Sequence, residues 1–295
     1  MPELPEVQAL AAYLDEKLTG RAVAAATQVS VQALKTYDPP LRELPGHVFE
    51  GAGRHGKFID LRLDGGLHLV LHLARGGWIR WKDELPSAPP RPGKGPLAFR
   101  VRLAECGAGS AASSAGFDVT EAGTQKRLAV WLVRDPAEVP GIARLGVDPL
   151  TEEFTAERFA GLLAGERRQI KGVLRDQGVI AGIGNAYSDE ILHAARMSPF
   201  KIAATLSAEQ AHALHAVAVE TLREALERSR GLPSTDLKSE KKSGLRVHGR
   251  AGEPCPVCGE TIREVSFSDS ALQYCPTCQT GGKLLADRRM SKLLK

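Results

Sequence analysis

The sequence predicts an α+β chain in three parts: an N-terminal β-sandwich, a helical middle and a small cysteine-knuckled C-terminal unit. Three observations carry this. Short alternating apolar runs fill the region from about residue 21 to 133, the period of half-buried strands. After Pro149 the apolar residues recur at helical spacing. Four of the five cysteines sit in two tight pairs near the end. The expected domains are 1–135, 150–230 and 249–295.

The elements follow in order. Pro5 suits the first turn of a helix, where its missing N–H costs nothing. Val7, Leu10, Ala11, Leu14 and Leu18 continue at helical spacing and Gly20 can end it. Residues 1–4 are then a short free arm ahead of a buried helix. Strands are expected over 57–63, 67–73, 78–81, 98–103 and 128–133, with Gly and Asp-Gly turns between several of them. A Pro-rich stretch at 85–96 and a Gly/Ala/Ser-rich stretch at 107–116 read as exposed connections. Helices are expected over 155–164, 169–176, 186–195 and 207–229, the last with Ser207 as cap and Glu209 near its third position. Residues 231–249 read as a loop and 253–279 as a small metal-held hairpin.

The composition is that of a globular protein, with 43% hydrophobic residues among 295. No window of about 18 apolar residues suggests a membrane span. The opening MPELPEVQAL carries Glu3 and Glu6 and lacks the basic-then-apolar order of a secretory leader, so a cytoplasmic location is expected. The formal charge is +4. Residues 231–295 hold eleven Lys or Arg against seven Asp or Glu, which accounts for all of it. A basic end suits a polyanion partner such as nucleic acid, or is simply a solvated tail.

Cys255-x₂-Cys258-x₁₆-Cys275-x₂-Cys278 is the strongest local motif. Two CxxC knuckles on a hairpin-length insert supply the thiolate tetrahedron that Zn²⁺ prefers. One structural zinc is expected, because four protein ligands leave no open position for catalysis. Cys106 has no neighbour in sequence that would activate it and reads as an ordinary thiol. Lys283, Arg288, Arg289, Lys292 and Lys295 would give the finger a phosphate-binding face.

At the other end, Met1 precedes a small residue, so its removal is expected and Pro2 would become terminal. An α-amino group has a pKa near 7.7–8.0, so a sizeable fraction is unprotonated at neutral pH and can attack a sugar aldehyde carbon. Glu3 beside it and Glu6 one turn on could shuttle protons or hold the amine. Alone, this pattern reads first as a proline-containing turn with solvated glutamates, and the nucleophile reading comes second. Gly182-Ile183-Gly184-Asn185 lies between two expected helices. Its backbone N–H groups could approach a phosphate, with Asn185 as cap and phosphate ligand, or it could simply join the helices.

MPELPEV, GIGNAYSDEIL, RVHGRAGEPC and a Cys₄ finger ending YCPTCQ occur together in this order, and the chain resembles the Fpg/Nei DNA glycosylases over nearly its whole length. The resemblance implies a β-sandwich, a helix–two-turn–helix domain and a zinc finger, with damaged DNA in the cleft between the halves and the damaged nucleotide flipped out. It implies that Pro2 attacks C1′ and forms a Schiff base, that Glu3 donates a proton and that Glu6 is its partner. Lys57 matches a lysine that contacts phosphate and assists β-elimination. His72 and Asn185 match phosphate-contacting residues, and Lys171 a lysine near the lesion. The expected partner is double-stranded DNA with a damaged base or an abasic site, bound by a monomer.

The chain departs from the family pattern at four places. Arg75 stands where a methionine often fills the gap left by the flipped base. Lys126-Arg127-Leu128 replaces Arg-Arg-Phe, and Leu128 is expected to enter the DNA beside Arg75. Ser270 replaces the finger arginine five residues before the third cysteine, with Arg263 as a possible substitute. Residues 231–249 look too short for the lid that reads 8-oxoguanine. Oxidised purines, oxidised pyrimidines and abasic sites all remain open as substrates. So does a non-enzymatic damage-binding protein on the same fold, although Pro2, Glu3, Glu6 and Lys57 favour an enzyme. A transcription-type zinc ribbon leaves PELPEV unexplained.

Overall fold

The computed structural model describes residues 1–86, 88–90, 95–104, 114–267 and 270–286. It divides into two compact units, Met1–Arg144 with Ser229–Lys238, and Leu145–Arg228 with Ser239–Lys295.

The first unit opens with α1 (Leu4–Leu18) and continues through β1 (Val23–Gln28), β2 (Phe49–His55), β3 (Phe58–Leu63), β4 (Leu67–His72), β5 (Gly77–Leu85), β6 (Leu97–Leu103), β7 (Ser114–Glu121) and β8 (Ala129–Val133). The strands form two four-stranded antiparallel sheets, ordered β1-β6-β7-β5 and β2-β3-β4-β8. Alternation puts Phe99, Val101 and Leu103 of one sheet, and Ile59, Leu61 and Leu63 of the other, into one apolar cluster. Val7, Leu10, Ala11, Leu14 and Leu18 of α1 complete that core. Leu237 joins it from the returning segment, and the Trp78 indole N–H donates to the Ser234 carbonyl at 2.8 Å.

The expected strands at 57–63, 67–73, 78–81, 98–103 and 128–133 coincide with β3, β4, β5, β6 and β8. Sequence patterning missed three. Half of β1 is alanine, β2 carries Gly51 and Gly53, and β7 begins inside the stretch read as a linker. β1 and β2 have low intrinsic strand propensity and are held by pairing with better neighbours, whereas β7 carries Phe117, Val119 and Thr120 but was hidden by its low-complexity start.

The second unit carries α2 (Ala156–Leu163), α3 (Ile170–Arg175), α4 (Asn185–Ala194) and α5 (Ala208–Ser229), close to the expected helices. Their apolar faces meet around Phe159, Ile170, Leu174, Tyr187, Ile191 and Leu214. Ser207 does cap α5. Its hydroxyl accepts from the Gln210 N–H at 3.2 Å, and the Gln210 amide oxygen accepts from the Ser207 N–H at 3.2 Å. The third helical position is therefore Gln210, not Glu209, because the helix starts at Ala208.

Residues 231–249 are not all loop: α6 (Leu237–Gly244) lies within them. Only Leu237 of this helix is buried, so no apolar periodicity marked it. The hairpin β9 (Arg263–Ser266) and β10 (Ala271–Tyr274) then leads into α7 (Pro276–Thr280). No helix among the described residues is long and apolar enough to cross a membrane.

Candidate catalytic residues, DNA-contacting turns and metal centre

The N-terminal residues are not a free arm. Pro2 is buried, and Glu3 and Glu6 are 2% and 1% exposed. Glu3 caps α1, and its N–H donates to Glu6 Oε2 at 2.8 Å in a reciprocal capping box. The helix start therefore fixes the backbone that carries Pro2. Met1 is 48% exposed, so its removal would bare the Pro2 nitrogen.

Lys57 sits in the two-residue turn between β2 and β3, where His55 pairs with Phe58. It is 7% exposed and so is not a solvated turn lysine. His72 pairs with Phe58 across β3 and β4, with the rings 4.7 Å apart. Burial and then the nearby Lys57 charge push the His72 imidazole down to about 4, so it is neutral at pH 7.

Arg75 is presented by the tight turn after β4. The Gly77 N–H donates to the Leu73 carbonyl at 2.8 Å, and the Ala122 N–H donates to the Gly76 carbonyl at 3.0 Å. A Cβ on Gly76 would run into the Ala122 carbonyl oxygen, and one on Gly77 into that of Leu73. Ala74 takes a left-handed φ of 49° to complete the turn, and Arg75 points outward, exposed. The Glu121 carboxylate, next to that turn, accepts the N–H groups of Arg127 at 2.7 Å and Leu128 at 3.0 Å. Lys126 Nζ donates to the Glu121 carbonyl at 2.5 Å. Lys126 and Arg127 are exposed, but Leu128 is 3% exposed within the sandwich core. Its apolar side chain is already satisfied there, so the expectation that it projects toward DNA is corrected; the exposed groups of this segment are cations.

In the second unit, Gly182 adopts φ 91°, and its N–H donates to Gln177 Oε1 at 2.9 Å. Gln177 Nε2 donates to the Ile183 carbonyl at 2.7 Å, which fixes the turn before α4. The helix cap is Gly184, so Asn185 is the first helical residue rather than the cap. Asn185 Nδ2 donates to the Ala271 carbonyl at 2.6 Å, while its Oδ1 is buried without a partner.

Lys171 is 5% exposed. Its ammonium donates to the Asn185 carbonyl at 3.1 Å, Ser188 Oγ at 2.7 Å and Asp189 Oδ1 at 2.7 Å. Asp189 Oδ2 meets His248 Nδ1 at 2.7 Å and accepts the Gln273 N–H at 3.2 Å. Beside it, Glu190 accepts three backbone N–H groups, from Arg246, Val247 and His248, at 2.7–2.9 Å. Burial pushes the Glu190 carboxyl up, while those three donors pull it down. Asp189, Glu190 and His248 were not singled out by sequence reasoning. The available signal was an acidic pair inside a helix whose flanking residues, Tyr187 and Ile191-Leu192, are apolar.

The four finger cysteines lie with their Sγ atoms within 4.8 Å of one another. Cys255 and Cys278 are 3.9 Å apart, and Cys258 and Cys275 are 3.4 Å apart. A Zn–S bond of about 2.3 Å in a tetrahedron places sulfurs about 3.8 Å apart, so the donor set fits zinc in both type and spacing. At the hairpin, Arg263 pairs with Tyr274 at the cysteine end, whereas Ser270 lies at the tip. Three residues of strand, about 10 Å, separate Arg263 from the tip end of β9, so Arg263 is poorly placed to substitute there. Cys106, Arg288, Arg289, Lys292 and Lys295 lie outside the described residues.

Two antiparallel sheets with a capped N-terminal helix, a helical domain with a glycine turn, and a Cys₄ finger together define a DNA glycosylase architecture. Comparison with known proteins places the chain within it. The formamidopyrimidine-DNA glycosylase N-terminal domain matches residues 1–111, the H2TH domain of the same enzymes 145–236, and the zinc finger found in FPG and IleRS 252–281. The formamidopyrimidine-DNA glycosylase of Symbiobacterium thermophilum is 34% identical over 300 residues, covering 98% of this chain and 93% of that one. A Mycobacterium tuberculosis protein named an uncharacterized formamidopyrimidine-DNA glycosylase-like protein is 58% identical over 159 residues, 54% of this chain and 99% of its own. The crystal structure of MutM (Fpg) from Thermus thermophilus aligns with a TM-score of 0.77 at 29% identity, covering 96% of this chain and 100% of that one. Lactococcus lactis Fpg, in complex with DNA containing an abasic site, shares the fold with a TM-score of 0.80 at 24% identity, covering 94% and 99%. The chain belongs to the formamidopyrimidine-DNA glycosylase family.

Proposed function

We propose that this protein is a bifunctional DNA glycosylase and abasic-site lyase that removes oxidised bases from double-stranded DNA, acting as a monomer. The observation that carries the reading is the buried Pro2–Glu3 terminus, locked by the Glu3–Glu6 capping box. With Met1 removed, the secondary amine of Pro2 attacks C1′ of the damaged nucleotide. The C1′–N bond breaks and the base leaves with a proton from Glu3. The Pro2 nitrogen gives up its own proton, the C1′–O4′ bond breaks as O4′ takes a proton, and an iminium then joins Pro2 to C1′ of the opened sugar. That iminium acidifies C2′, and loss of a C2′ proton expels the 3′ phosphate. Lys57, with its ammonium beside the neutral His72, supports the phosphate and the elimination.

Arg75, Lys126 and Arg127 form a second cationic contact, in which the Arg75 guanidinium can both fill the space left by the flipped base and hydrogen-bond its orphaned partner. Asn185 contacts phosphate from the second unit, and Lys171 acts through Asn185 by holding its carbonyl. One zinc on Cys255, Cys258, Cys275 and Cys278 supplies no chemistry to the reaction; it holds the finger. With Ser270 at the tip, cleavage stops mainly after β-elimination, because no cation there neutralises a second leaving phosphate.

Borohydride trapping on an abasic duplex tests the reading. We expect a covalent adduct at Pro2 that is lost when the N-terminus is acetylated. An adduct mapped to an internal lysine, or no adduct and no nicking, would overturn it. On a denaturing gel the expected product is the unsaturated aldehyde end, and Ser270→Arg should raise the 3′-phosphate fraction.

A further inference from the structure

We propose that His193 is a positioning residue for the metal centre, donating an N–H hydrogen bond from Nε2 to the sulfur of Cys255. His193 lies in the last turn of α4 and is 2% exposed, and its Nε2 is 3.3 Å from Cys255 Sγ, itself 3% exposed. The proposal rests on the Cys₄ zinc reading. A zinc-bound cysteine is a thiolate and carries no proton, so it can only accept, and the hydrogen must belong to the imidazole. With the proton on Nε2, the nitrogen left bare is Nδ1. Nδ1 is the atom that is buried without a partner, and the other tautomer would strand an N–H there.

The bond withdraws charge from the sulfur and fixes its direction, the usual role of groups just outside a metal's ligands. It also makes α4 a strut. Asn185 is its first residue and His193 lies eight residues on, about 12 Å along the axis. The same helix that begins with the phosphate-contacting turn ends on a metal ligand.

The test uses the full-length protein with its metal, and metal analysis of the unsubstituted protein comes first. A parent without bound metal would overturn the zinc assignment and this proposal together. In cadmium-113-substituted protein, we expect a through-hydrogen-bond coupling between the metal and the His193 Nε2 proton. Its absence, with cadmium bound, would overturn the proposal alone, and this measurement needs no variant to fold. Transfer of zinc to a chromophoric chelator is the second measurement. His193→Phe, which keeps a buried ring without a donor, should release zinc about tenfold faster, and His193→Gln, which keeps a donor, should stay within about twofold of the parent. Release unchanged in His193→Phe, or accelerated equally in both variants, would overturn it, since packing and not the donor would then be responsible.

Discussion

The N-terminal unit and the finger reach a closed structure by different means. The sandwich surrounds one continuous cluster of leucine, isoleucine, valine and phenylalanine side chains contributed by α1 and both sheets. The cluster at the cysteine knuckles consists of Val247, Ile262, Cys255 and Cys275, with Cys278 against it. Two of its four buried members belong to the Cys₄ group positioned to hold a metal. A structural zinc is worth on the order of 10 kcal/mol or more in such modules, far above what two apolar side chains supply. The first unit should therefore fold on its apolar surface alone, and the knuckles only with their metal.

The largest expected effect breaks that comparison directly. Chelation, or Cys255→Ser, should unfold the finger and lower DNA affinity by on the order of a hundredfold, about 2.7 kcal/mol, while the sandwich keeps its own thermal transition. Metal analysis, DNA titration and calorimetry on one sample measure all three. Unaltered DNA binding by metal-free protein would refute the distinction.

Lys171→Met should cost about 3–5 kcal/mol, because it leaves the Asp189 carboxylate, 1% exposed, without its cation. Urea unfolding of the second unit reads this. Changing Asp189 to Leu in the same protein should restore much of the loss, and no restoration would mean that Lys171 acts by something other than charge pairing.

The first unit should show its own sensitivity, to acid. His72 has a folded pKa near 4, below its unfolded value near 6.5, so the unfolded chain binds more protons between those limits. The stability contributed by the neutral form is full above about pH 6.5 and lost as pH falls toward 4, by at most about 3 kcal/mol. His72→Gln should flatten that part of the stability profile. An unchanged profile would show that His72 is not the group responsible.

Arg75→Ala should have the smallest effect of the four. If Arg75 only binds phosphate, affinity falls uniformly over all duplexes and the salt slope drops by about one. A changed preference for the base opposite the lesion would instead identify Arg75 as the wedge.

The sequence was most legible where one local rule acts alone. Pro5 and the spacing of Val7, Leu10, Leu14 and Leu18 announce α1, and the cysteine spacing announces the finger. It was least legible where a residue's role depends on distant partners. Glu190 matters through the backbone of residues 246–248, and His193 through a cysteine 62 positions away. Leu128 was misread because its motif position said DNA while its apolar side chain belonged to the sandwich, and burial decided. Strands β1 and β2 were invisible because alanine and glycine carry little local preference for extended structure.

The left-handed Ala74 has a consequence for how this protein would respond to selection for heat tolerance. A non-glycine residue at φ 49° costs about 1–2 kcal/mol relative to ordinary backbone. Ala74→Gly would recover part of that, less the entropy a glycine gains in the unfolded chain. A screen that rewards melting temperature alone would thus have a cheap substitution available one residue before Arg75. The same change would let the Arg75 guanidinium wander over a wider arc, so the hotter-melting protein should hold that side chain less firmly. At this position rigidity of aim and depth of the folded well are set against each other.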